Sequence, residues 1–244
     1  MPDDFNLSAY VALVQALHAQ GYKIRGYADV APNDPHLILR HDVDFDLGAA
    51  VELATVEAEQ DWAAYYFVLM GSEFYNPLSP ASGAAISLLR RLGHRVGLHF
   101  DASVYSGDTN ELISAVQREA SILEDITGAE VDAFSLHRPH PELLDHGFDV
   151  AGMVNVYATR YTQEIAYCSD SRGQWRHGHP LDLEAVHMGR ALHLLTHPVW
   201  WVRAAGTPQA TVARTLDKRF EVLEEEADAQ CETFQARITA ERKE

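Results

Sequence analysis

The sequence predicts an α/β fold, in its closed form a β/α barrel. Three observations carry this. Short apolar runs alternate with amphipathic helical stretches, which calls for a parallel sheet with crossover helices. The chain has 244 residues, 47% of them hydrophobic, which suits one domain with a large core. The commonest closed α/β form near this length is the β/α barrel, with an open doubly wound sheet as the alternative. Third, ionisable side chains end several of the apolar runs, and barrel active sites lie at the rim where strands end. No G-x-G-x-x-G or Walker-type loop follows any run, which counts against a nucleotide fold.

Taken in order, residues 7–19 read as a helix, with Leu7, Tyr10, Val11, Val14 and Leu17 on one face and Gly21 at its end. Leu37 to Leu39 is a short buried strand ending at Arg40-His41-Asp42. A helix over 46–60 follows, with Leu47, Val51 and Ala54 inward. Ala63 to Met70 is a strand, Pro80 to Leu92 a helix and His94 to Phe100 a strand. Thr109 to Thr127 is an amphipathic helix with Leu112, Val116, Ile122, Leu123 and Ile126 inward, stopped by Gly128. Further strands are expected at Val131 to Leu136, Met153 to Tyr157, Glu164 to Cys168 and Leu192 to Thr196. From Thr211 onward, Val212, Leu216, Phe220, Leu223, Ala227, Phe234 and Ile238 recur at helical spacing. That helix packs on the barrel in the simpler, preferred reading and forms a homodimer contact in the sharper one. The single domain spans 1–244, with its core at about 36–202 and the final helix at 208–240.

Lys plus Arg number 19 and Asp plus Glu 36, giving a formal charge of −17. Such a surface repels phosphate backbones and anionic lipid, so neither nucleic acid nor membrane is expected as a partner. Two cysteines, Cys168 and Cys231, make no disulfide framework and are read as reduced structural thiols. Acids stand near the N-terminus where a signal peptide needs cations, and no window suits a membrane span. The expected location is cytoplasmic and the expected substrate a small molecule or saccharide.

The chemistry concentrates at strand ends. Asp42 and Asp44 are two apart, so an extended backbone points both to one face. Their mutual repulsion is relieved by a cation, although Asp44 also suits the N-cap of the next helix. His99 and His137 each follow an apolar run, where neutral imidazole is a natural ligand for Zn²⁺ or Fe²⁺. His197 beside Trp200 and Trp201 is open to three roles: general acid, ligand or buried structural group. His177, His179, His187 and His193 sit in or near a Gly- and Arg-containing stretch, where the H-x-H pair His177 and His179 could bind metal on a loop but is read as solvated loop polarity.

These residues resemble the polysaccharide deacetylase superfamily, also called the NodB-homology or carbohydrate esterase family 4 domain. The resemblance runs from about Leu37 to Trp201 and is closest to divergent members carrying L-R-H-D-V-D, here Leu39 to Asp44. Gly93 to His99 resembles the family's G-H-x-[IV]-G-x-H segment, His137-Arg138-Pro139 its R-x-P motif, Asp170 and Trp175 its later Asp/Trp motif, and Leu195-Thr196-His197 its final leucine-histidine motif. The resemblance implies an irregular barrel of about seven strands. It implies Asp42 as catalytic base, Asp44 and His99 as metal ligands, and His197 as the acid that protonates the leaving group. One departure stands out: Ser103 occupies the position where the family places a second ligand histidine. His137 is the expected replacement and Asp101 the second candidate.

The expected function is metal-dependent hydrolysis of a C–N amide bond, with deacetylation of an N-acetylated sugar or sugar-like metabolite as the leading case. Zn is the leading ion, with Co, Ni, Fe or Mn permitted by the same ligands. Asp42 and His197 carry proton transfer. His41, Asp101, Arg138, Asp170, Trp175 and Trp200 line the substrate or support the ligands, with Arg138 expected to hold a neighbouring carboxylate such as Asp170, or the substrate. The alternative is a non-catalytic carbohydrate or metabolite binder whose site has decayed at Ser103. A barrel hydrolase of ureides or cyclic amides is a third reading, weakened by the lack of an early H-x-H strand.

Overall fold

A computed structural model describes residues 5–105, 108–139, 143, 148–176 and 178–231. The strands are β1 (Lys23–Ile24), β2 (His36–Val43), β3 (Tyr65–Leu69), β4 (Arg95–Phe100), β5 (Ala133–Leu136), β6 (Val154–Asn155), β7 (Ala166–Ser169) and β8 (Leu192–Thr196). The helices are α1 (Leu7–Ala19), α2 (Leu47–Ala58), α3 (Pro80–Arg91), α4 (Thr109–Thr127), α5 (Thr159–Thr162), α6 (Glu184–His187), α7 (Pro198–Val202) and α8 (Pro208–Gln230).

All strand pairs are parallel, in the order β6-β5-β4-β3-β2-β8-β7, with β1 beside the start of β2. The seven-strand path curls into a half-barrel. Among the described residues β6 and β7 do not pair, so the barrel stays irregular and open there. This is the expected fold class, and β2 is longer than the apolar triplet that signalled it. Its last residues are polar but fully covered, because strands flank it on both sides.

The alternation of strand side chains builds two cores. Leu37, Leu39, Val43, Tyr66, Val68, Leu98, Phe134 and Leu194 face out beneath the helices. Ile38, Tyr65, Phe67, Ala133 and Val156 line the inside of the curl, with Tyr27 and Tyr161. Arg40 and Asp42 therefore share the inner face with Ile38, and His41 takes the outer one. Gly97 permits the close approach of β3 to β4, since a Cβ there would collide with the Phe67 ring.

Two local expectations change. The N-cap of α2 is Asp46, whose side chain accepts from Ala49 N–H at 3.0 Å, so Asp44 is released from that duty. Ile122 on α4 is exposed rather than inward. His193 lies in β8, within the expected Leu192 to Thr196 strand, and is wholly buried, with Nε2 2.9 Å from the Tyr27 hydroxyl and Nδ1 3.0 Å from the Tyr161 carbonyl. Of the other histidines in that group, His179 caps a short 3₁₀ turn, Pro180–Asp182, and His187 ends α6. His177 lies outside the described residues, as do Phe234 and Ile238 of the expected final helix. Cys168 is buried, whereas Cys231 is exposed just past α8.

Candidate metal centre and acid–base groups

Three strand ends deliver three donor atoms to one place. Asp44 follows β2, His99 is the penultimate residue of β4, and His137 follows β5. His99 Nε2 lies 3.1 Å from Asp44 Oδ1 and 3.1 Å from His137 Nδ1, and His137 Nδ1 lies 3.5 Å from the same oxygen. A tetrahedral site with ligand bonds of ~2.0–2.1 Å has edges of about 3.3–3.4 Å. The observed triangle is thus the size of one face of such a site, and two imidazoles with a carboxylate suit Zn²⁺ and its neighbours. Among the described residues this is the group of His, Cys, Asp and Glu side chains placed to hold a metal ion.

Asp44 Oδ1 is buried and makes no hydrogen bond, although two imidazole nitrogens stand close by. A buried carboxylate oxygen in that state lacks a cation. Burial pushes the Asp44 carboxyl up, but the neighbouring His137, His99 and His197 rings outweigh it and hold it well below the usual range. The anion is therefore the resting form. His99 Nδ1 lies 2.6 Å from Ser135 Oγ, its register partner across β4 and β5. With the Nδ1 proton donated to that hydroxyl, Nε2 presents its lone pair to the cluster.

His137, the expected replacement for the histidine missing at Ser103, is the third member of the cluster. Ser103 sits in a 3₁₀ turn, its backbone N–H and hydroxyl both donating to Asp101 Oδ1 at 3.0 and 2.5 Å. Asp101 also accepts from Arg138 at 2.9 Å, so the second candidate ligand is engaged by its own neighbours. Arg138 is exposed and pairs with Asp101 rather than with Asp170.

Asp42 lies on the Nδ1 side of His99, its Oδ2 3.8 Å from that nitrogen. Arg40 grips it with two prongs, Nε to Oδ1 at 2.9 Å and a terminal nitrogen to Oδ2 at 2.7 Å. Burial acts to raise the Asp42 carboxyl, but the Arg40 guanidinium, with the His99 and His197 rings, outweighs it and holds the group below the ordinary range.

His197 approaches from the end of β8, with Nε2 3.8 Å from Asp44 Oδ2. Its Nδ1 lies 2.6 Å from Asp170 Oδ1, and Trp201 Nε1 donates to Asp170 Oδ2 at 2.8 Å. Burial alone would lower the imidazole, but the Asp170 carboxylate raises it to about 9. Protonation is thus its neutral-pH state in the metal-free protein.

The remaining expected residues stand apart from this cluster. His41 points to the outer face, where it meets Glu57 Oε1 at 2.9 Å and Thr196 Oγ1 at 2.7 Å. Trp175 packs against Phe5 and Trp201, and Trp200 is buried against Phe45. Sequence reasoning assigns no role to Arg40 or Ser135, yet both carry a readable signal: Arg40 is two residues before Asp42 and Ser135 two before His137, hence on the same faces.

No family model matches the chain, and no curated protein matches it. Structure comparison finds a chitin deacetylase from Colletotrichum lindemuthianum at 14% identity, covering 82% of this chain and 87% of that one, with a TM-score of 0.46. It also finds a CE4 family pseudoenzyme from Bacillus anthracis at 16% identity, covering 80% of this chain, with a TM-score of 0.44. A family 4 acetyl xylan esterase from Clostridium thermocellum, in complex with a cobalt ion, is 14% identical over 75% of this chain and 84% of that one, with a TM-score of 0.41. The chain spans 63% of the length of the pseudoenzyme.

Proposed function

We propose that this protein is a metal-dependent hydrolase of a C–N amide bond, removing the acetyl group from an N-acetylated sugar or sugar-like metabolite. The observation that carries the reading is the buried, unpartnered Asp44 Oδ1 facing two imidazole nitrogens, with an ionised and a protonated side chain on either side. Asp44, His99 and His137 would hold the ion, with Zn as the leading candidate. Bound there, a divalent cation lowers the pKa of water and stabilises negative charge on the acyl oxygen.

The chain's own groups supply the proton transfers. Asp42, kept anionic by Arg40, takes the proton of the attacking water. His197, kept protonated by Asp170, gives a proton to the departing amine nitrogen, which leaves as a neutral amine. Trp201 and the His197 backbone N–H fix Asp170, so the acid is held at one angle. The motif resemblance supports the same assignment.

The charge of −17 favours a neutral or cationic saccharide over nucleic acid or anionic lipid. Among the described residues no helix is long and apolar enough to cross a membrane. We place the protein in the cytoplasm, acting on a small saccharide.

Elemental analysis of purified protein, followed by acetate release from a panel of N-acetylated amino sugars, tests the reading. The expected result is about one divalent ion per chain, activity lost to a chelator and restored by added metal. Activity that persists without metal, or that Asp42→Asn leaves unchanged, overturns it. Saccharide affinity without metal or turnover identifies the binding-protein alternative.

A further inference from the structure

Helix α8 carries an apolar seam that nothing in the described structure covers. Leu216, Phe220 and Leu223 are 48%, 57% and 48% exposed. With Ala227 they recur at spacings of four, three and four, the repeat of a coiled-coil seam. The helix's buried residues, Thr211 and Thr215, lie in its first half, and beyond them Lys218, Arg219 and Val222 border a cavity lined by Phe45, Phe74 and Ala81. From Leu216 to Gln230 no side chain is buried. A solvated helix of that length draws little stability from its own hydrogen bonds, and an exposed apolar seam marks a contact surface.

Charge along α8 indicates the partner. Residues 208–220 carry Arg214, Lys218 and Arg219 against Asp217 alone. Residues 221–230 carry Glu221, Glu224, Glu225, Glu226 and Asp228 with no base. A parallel pair of these helices stacks acid on acid. An antiparallel pair lays the basic half of each helix on the acidic half of the other.

We propose that the Leu216–Phe220–Leu223–Ala227 seam is a dimerisation surface, paired antiparallel with the same seam of a second copy of this chain. In that register Phe220 packs on the partner's Leu223 and Leu216 on the partner's Ala227. Arg219 reaches the partner's Glu226 on one flank, and Asp217 opposes the partner's Glu224 on the other. The two-fold axis repeats each contact. The pairing is independent of the chemistry at Asp44.

Sedimentation velocity on the full chain tests it, with far-UV circular dichroism as the control for folding. The wild type sediments as a dimer, and Phe220→Glu as a monomer with an unchanged spectrum. Arg219→Glu and Glu226→Arg each weaken the dimer roughly tenfold, because each removes two symmetric pairs, and the double swap restores it. Asp217→Lys tightens it by relieving the like-charge pair. A wild type that stays monomeric at its highest soluble concentration overturns the proposal, as does a dimer indifferent to Phe220→Glu or unrescued by the double swap. A monomer that dimerises only after deletion of residues 232–244 also overturns it, and assigns the seam to the chain's own tail.

Discussion

His197 and Asp170 form a closed pair: Nδ1 of the imidazole is 2.6 Å from Oδ1 of a carboxylate with no exposed surface. The same carboxylate accepts the His197 backbone N–H at 3.1 and 3.0 Å, so main chain and ring are tied to one anchor. In metal-free protein the His197 ring is expected to titrate near about 9. Asp170→Asn removes the largest charge that raises it and is expected to lower the titration, leaving Asp44 and Asp42 to oppose burial. Imidazole NMR across a pH series measures both. A raised pKa also means that the pair's contribution to stability is complete below the unfolded value of about 6.5 and is lost as pH climbs through about 9. Equal titrations in the two proteins would disconnect Asp170 from the acid.

Ser135 acts on the candidate metal centre from behind. Its hydroxyl lies 2.6 Å from His99 Nδ1 and 3.5 Å from Asp42 Oδ1, bridging the expected ligand and the expected base. Ser135→Ala leaves Nδ1 without that acceptor and lets the ring choose either tautomer. Zn²⁺ affinity is expected to fall on the order of tenfold, the lower end of outer-sphere effects. Competition against a chromogenic chelator reads this directly. An unchanged affinity would show that β-strand geometry alone orients His99.

The barrel was legible because parallel strands and amphipathic helices leave different periods in the chain, and α4 matched its expected span, Thr109 to Thr127, to the residue. The residues expected to bind metal and move protons are readable in the sequence because they end strands, and the fold brings Asp44, His99, His137 and His197 within reach of one another. Facing was harder to read. His41 and Asp42 are neighbours in sequence, yet the pleat sends one to the metal-free outer network and the other to the inner site. His193 falls in the expected Leu192 to Thr196 strand, but its burial is not readable there, because the two tyrosines that make it tolerable are distant in sequence. Which acid caps α2 was also undecided until Asp46 was seen to accept from Ala49 N–H.

The burial of His193 has a consequence for acid stability. Desolvation, aided by the Arg40 charge, pushes its imidazole down to about 3, so it stays neutral in the fold. The unfolded chain takes up that proton near about 6.5. Stability is therefore complete above that value and declines as pH falls from about 6.5 towards about 3, by up to ~4–5 kcal/mol. Urea midpoints between pH 7 and 4 should fall steeply in the wild type. His193→Gln, neutral throughout, should show a shallower fall, and parallel curves would assign the acid sensitivity elsewhere.

Glu57 is the strongest test that the outer face of β2 is structural rather than catalytic. It has no exposed surface, and it accepts from Tyr10 and, at 2.6 Å, from Tyr66, with His41 Nε2 at 2.9 Å and His94 Nδ1 at 3.7 Å. One carboxylate thereby joins α1, α2, β2 and β3 across the layer between helices and sheet. Burial acts to raise Glu57, and His41 is the chief group that more than offsets this and keeps it anionic. Glu57→Ala strips the partner from three buried donors at once, and a loss of about 3–5 kcal/mol is expected. Tyr10→Phe removes one donor only and should cost about 1 kcal/mol. Because Asp44, His99 and His137 lie on the inner side of the strands, the residual folded Tyr10→Phe protein should bind Zn²⁺ with wild-type affinity. Denaturant titration and metal competition on the same samples separate the two faces: a Tyr10→Phe protein that keeps its stability but loses metal would place this network in the site after all.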